Sequence, residues 1–154
     1  MTDTENIKTI LARLEQSMHG PNYQAEYGVD IFDNCETFDK FHWQFRQMHD
    51  GKNIEKYTPT LIDKATFWDK LNFGLTYRGD RGAGLTLTPG QEDDLSITQS
   101  AFKDTIRQFI SDKTRIYEYP EQAGIADCFV YWGHIFFLLN KDTPSILIYG
   151  SASD

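Results

Sequence analysis

The stretch Cys128–Leu139, Cys-Phe-Val-Tyr-Trp-Gly-His-Ile-Phe-Phe-Leu-Leu, limits the possible folds more than any other part of the chain. Read with a period of two, it is apolar at both parities, so a strand made from it must be covered on both faces and belongs inside a sheet. Gly133 marks a point where that strand can bend. Asn140-Lys141-Asp142-Thr143-Pro144 is turn chemistry, and Ser145–Tyr149 returns as an antiparallel neighbour. Interrupted by Gly133 and His134, the apolar run is also shorter than the roughly 20 residues a membrane-spanning helix requires.

The other elements arrange themselves around this hairpin. Ile7, Ile10, Leu11, Leu14 and Met18 form one apolar stripe and predict a helix over 4–18, capped by Thr4 and stopped at Gly20-Pro21. A second helix is expected over 60–71, with Pro59 near its first turn, and a third over 99–112, capped by Thr98 or Ser100. Thr114–Tyr119 alternates and ends at Pro120, as a strand does. Asn72–Arg78 and Gly84–Thr88, on either side of Gly79-Asp80-Arg81-Gly82-Ala83, read as a long-loop hairpin. Residues 35–48 fit either period; Phe41, Trp43 and Phe45 alternate with polar neighbours, and Asp50-Gly51 is a hairpin signal, so a strand pairing with Asn53–Tyr57 is favoured. The fold class is α+β, an antiparallel sheet with about three helices packed mainly on one face.

The 154 residues suit one domain, 1–154, with no repeat or linker dividing it. Fifteen Lys and Arg against 23 Asp and Glu leave a net charge of −8, which repels phosphate backbones and argues against nucleic acid. The first residues carry no basic and apolar leader, so a cytoplasmic setting with reduced thiols is expected for the two cysteines, Cys35 and Cys128. No membrane contact, cofactor or metal is expected. The histidines lack ligand spacing, and there is no P-loop, serine elbow or deaminase pattern. The loop around Arg78 and Arg81 joins two strands rather than a strand and a helix, so it reads as a hairpin tip.

Asp127-Cys128 and Gly133-His134-Ile135 resemble fragments of papain-like peptidoglycan amidases, which place a cysteine after Asp and a histidine in a Gly-His-hydrophobic strand. Those enzymes, however, open a helix with the cysteine, well before the histidine strand. Here six residues on one strand would hold Cys128 and His134 about 20 Å apart, so Cys128 reads as a structural thiol. A second arrangement sets Cys35 at a helix N-terminus with His134 as base and Asn140 or Asp142 as orienter, giving a cysteine-dependent hydrolase. Asp33, Glu36 and Asp39 surround that thiol with negative charge and oppose it.

Charge is the one distributed feature. Between Arg13 and Lys40 there is no Lys or Arg, while Glu15, Glu26, Asp30, Asp33, Glu36 and Asp39 interleave with Tyr23, Tyr27 and Phe32. Glu92, Asp93 and Asp94 form a second acidic group. Carboxylates steer a cationic partner and aromatics anchor it, so these ten residues, Glu15 and Glu26 aside, are the expected contact set. In size, acidity and lack of a catalytic constellation the chain resembles small bacterial toxin-immunity proteins, which implies a non-enzymatic neutraliser of a basic partner such as a toxin domain. A small-molecule-binding α+β domain is the remaining alternative. The oligomeric state is not legible.

Overall fold

The computed structural model describes residues 3–81, 84–123, 125 and 131–153, without the side chains of 3–5. Six antiparallel strands form one sheet: β1 (His19–Gly20), β2 (Tyr23–Phe32), β3 (Thr60–Ile62), β4 (Arg115–Glu118), β5 (Trp132–Leu139) and β6 (Ser145–Ser153), in spatial order β1-β2-β6-β5-β4-β3. The expected hairpin is its centre. Trp132–Leu138 of β5 pair with Ala152–Ile146 of β6, and Asn140 closes the turn, its backbone N–H donating to the Ser145 hydroxyl at 2.9 Å. Residues 126–130, including Cys128, lie outside the described part.

Both faces of the sheet are covered. On one lie α1 (Asp3–Ser17), α3 (Lys64–Thr76) and α4 (Pro89–Arg107); their Leu11, Leu14, Phe67, Leu71, Phe102 and Ile106 are buried with Phe136, Ile146 and Ile148. On the other lies α2 (Phe38–Met48), whose Phe41 and Phe45 are buried with Phe32, Phe137 and Leu147. The architecture is therefore α+β with three helices on one face, as the pattern predicts, and a fourth on the other. Among the described residues no helix is long and apolar enough to cross a membrane.

Several local expectations are corrected. Residues 38–48 are helix, not strand: the Thr37 hydroxyl accepts from the Lys40 N–H, and Phe41 stacks on Phe137 with centroids 3.9 Å apart. Such a pair adds about 0.5–1.5 kcal/mol beyond its buried area, and only the helical period aims Phe38, Phe41 and Phe45 at the sheet together. Asn53–Tyr57 is accordingly no strand but a 3-10 turn over Ile54–Lys56. Asn72–Thr76 completes α3, and 84–88 is a loop, so no hairpin forms there. The helix expected over 60–71 starts after its Asp63 cap, releasing Thr60–Ile62 to pair with β4.

The helix expected over 99–112 starts at Pro89 and ends at Arg107. Its cap is Thr88, reciprocally bonded with Gln91, and not Thr98 or Ser100. An acidic stretch with no strand assigned proves to be β2, the ten-residue partner of β6.

Candidate protein-binding surface

Strand β2 decides where the expected contact residues go. Its odd positions face the larger core and its even positions the α2 side. Tyr23 and Tyr27 are consequently 1% and 7% exposed. Each hydroxyl is satisfied internally: Tyr23 donates to the Tyr77 carbonyl at 2.9 Å and accepts from the Trp132 indole at 2.8 Å, and Tyr27 donates to the Gly74 carbonyl at 2.8 Å. Phe32, fully buried, belongs to the core beneath α2. These three aromatics hold the fold together and cannot serve as exposed anchors.

The acids divide. Asp30 is partly buried, its carboxylate 2.5 Å from the His49 Nε2 at the end of α2. Asp33, Glu36 and Asp39 are exposed around the start of α2, with Glu36 paired to Lys40 at 2.8 Å, a contact that lowers the Glu36 pKa. Glu92 is gripped by Arg78 through both carboxylate oxygens. Asp93 and Asp94 are exposed on α4, across the sheet from α2. The two acidic groups therefore occupy opposite faces and do not form one surface.

Two features stand outside the expected contact set. Trp43 is 60% exposed on the outer face of α2, one turn from Asp39. Once 38–48 is read as helix, the spacing itself puts Trp43 opposite Phe41 and Phe45. The second is a groove of about 760 Å³ beside the outer edge of β2. Glu15 and Gln16 of α1, His19 of β1, Gln24 and Glu26 of β2 and Tyr149 of β6 line it. Glu15 accepts the Tyr27 backbone N–H at 3.0 Å. Tyr149 lies against Gly28 so closely that a Cβ there would meet its ring at 2.2 Å, which accounts for glycine at that position. Burial first, then the charges of Asp30 and Glu15, push the Tyr149 pKa up, so its hydroxyl stays protonated. Among the described residues no Lys or Arg forms an ion pair with Glu15 or Glu26.

No family profile and no curated protein matches the sequence. The fold does have solved counterparts. Citrus MAF1 superposes with a TM-score of 0.57 at 13% identity, covering 96% of this chain and 98% of that one. A second crystal form of citrus MAF1 gives 0.52 at 13% identity, with 94% and 98% covered. At that identity the likeness is one of fold.

The hydrolase arrangement is not assembled. Cys35 is 1% exposed in the core beneath α2, and burial raises its thiol pKa to about 11. His134 lies on the other face of the sheet, 6% exposed and stacked between Trp132 and Phe136. Burial lowers its pKa to about 3, so it is a neutral core imidazole. Asn140 is committed to the Phe109 and Pro144 carbonyls and to the Thr114 hydroxyl. Among the described residues no three His, Cys, Asp or Glu side chains cluster as metal ligands.

Proposed function

We propose that this chain is an acidic protein-binding domain that neutralises a basic protein by covering its working surface, as toxin-immunity proteins do. The observation that carries this reading is the β2-edge groove, lined by exposed Glu26 and by Glu15, which accepts the Tyr27 backbone N–H, with no described Lys or Arg paired to either carboxylate. Two carboxylates on one groove without a described cationic partner favour a guanidinium or ammonium group, and the net charge of −8 steers a basic protein toward them. Exposed Asp33 and Asp39 extend the negative field along the α2 side, and Trp43 supplies the aromatic anchor that the buried tyrosines cannot. Glu36, neutralised in part by Lys40, contributes less, and the Glu92–Asp94 group on the far face is outside the contact.

The test is affinity capture from the native lysate at low and high salt, with wild type and Glu26→Lys/Asp33→Lys in parallel. One basic protein held in stoichiometric amount, released at high salt and lost by the variant, is the expected result. Addition of the domain should then abolish that protein's activity at a one-to-one ratio. Equal capture by the charge-reversed variant, or no capture at low salt, overturns the reading.

A further inference from the structure

We propose that the basic partner enters as an extended segment adding a seventh strand to the outer edge of β2, at Val29–Ile31; this rests on the acidic-binding reading above. Among the described residues the edge has no strand partner there. β1 pairs with β2 only at Tyr23 and Gln24. Beyond it, the end of α1 and the residue after it take over: the Ala25 N–H donates to the Met18 carbonyl at 3.2 Å, and the Tyr27 N–H to Glu15 at 3.0 Å. These bonds show that the odd residues of β2 turn their backbone groups away from β6, so alternation aims those of Val29 and Ile31 outward too. Among the described residues no strand stands beside them and none bonds to their backbone groups on that side. Two N–H and two C=O groups in line are a template for strand addition.

Side-chain parity defines the occupant. Residues opposite Asp30 share its face, toward α2, while their neighbours share the face of Val29 and Ile31, which pack against the larger core. Asp30 already meets His49 at 2.5 Å, so the cationic side chains of the segment answer Glu26, exposed on the same face of β2, and the fitting segment alternates Lys or Arg with apolar residues. Pairing must stop at Tyr27, whose N–H Glu15 already holds, and there the segment meets the groove between Glu15 and Glu26. A second copy fits less well: the one antiparallel register that bonds both Val29 and Ile31 of each chain sets Asp30 directly against Asp30, and like charges in that position repel.

The probe is a short capped peptide alternating lysine with valine, titrated against the whole chain while amide hydrogen exchange is followed by NMR. Two controls accompany it: a peptide N-methylated at alternate residues, and the variant Val29→Pro, which removes one outward N–H at an edge position where proline is tolerated. Binding with new protection at Val29 and Ile31, weakened about tenfold by either control, supports the proposal. Peptide binding without that protection, or equal affinity for the N-methylated peptide, overturns edge docking while salt-dependent capture by Glu26 and Asp33 still stands. No binding at low salt also overturns it, and so does concentration-dependent dimerisation that Val29→Pro abolishes, which would make a second copy the occupant. Because the N-methylated peptide leaves the protein untouched, the result does not depend on the variant folding.

Discussion

Replacing His134 with Phe should flatten the acid side of the stability profile. The imidazole is 6% exposed, stacked on Trp132 and Phe136 at 5.1 and 5.0 Å, and its Nε2 has no hydrogen-bond partner. Burial alone lowers its pKa from 6.5 to about 3. The unfolded chain takes up this proton below pH 6.5 and the folded chain does not until about pH 3, so the group's contribution is intact above pH 6.5 and is lost as pH falls. At ~1.4 kcal/mol per unit, the full loss by pH 3 is about 5 kcal/mol, of which about 2 kcal/mol is gone at pH 5. Urea unfolding of wild type and His134→Phe at pH 7.5 and pH 5 isolates this contribution, because every other ionisable group is common to the two proteins. Wild type should lose about 2 kcal/mol more than the variant. The phenyl ring is larger than the imidazole, so His134→Leu serves as a second non-titrating replacement, and only the pH-dependent difference is read. Identical pH responses in wild type and both variants would refute the claim that a neutral histidine is locked in this core.

Other consequences are simpler to check. Thr88→Ala removes the hydroxyl that caps α4 and should lower stability by about 1 kcal/mol in thermal or urea unfolding. Cys35 should resist iodoacetamide at pH 8 in the native protein and react once urea exposes it, as read by peptide mapping; rapid native labelling would show that the thiol is neither buried nor protonated. Trp43→Ala should leave the unfolding free energy within about 0.5 kcal/mol of wild type, because the indole is exposed, yet weaken capture of the basic partner. A large stability loss with unchanged capture would reassign Trp43 from contact to packing.

The amino-acid sequence by itself determined the centre of the sheet and the chemistry of the surface. The doubly apolar run ending at Leu139, the turn at Asn140–Pro144 and the return at Ser145 carry their pairing locally, since alternation and turn residues act over a few positions. The stripe of α1 is equally local, and the acids from Glu15 to Asp39 needed only counting. Other signals were present but outweighed: the Thr88–Gln91 capping box stood in plain view, and Tyr23, Ala25, Tyr27, Val29 and Ile31 alternate with mostly polar neighbours along β2.

Tertiary structure decided the rest. Residues 38–48 satisfy two periods, and Phe137 and Phe32, far off in the chain, select the helix by offering a surface for Phe41 and Phe45. The same packing turned the expected anchors inside out. Tyr23, Tyr27 and Phe32 have the composition of a contact patch, but a strand paired along its length with β6 buries both of its faces wherever helices cover them. Which carboxylates remain unpaired, which tryptophan stays outside and which strand edge lacks a neighbour all depend on residues distant in sequence. Burial and pairing are properties of the assembled layers, and no local pattern encodes them.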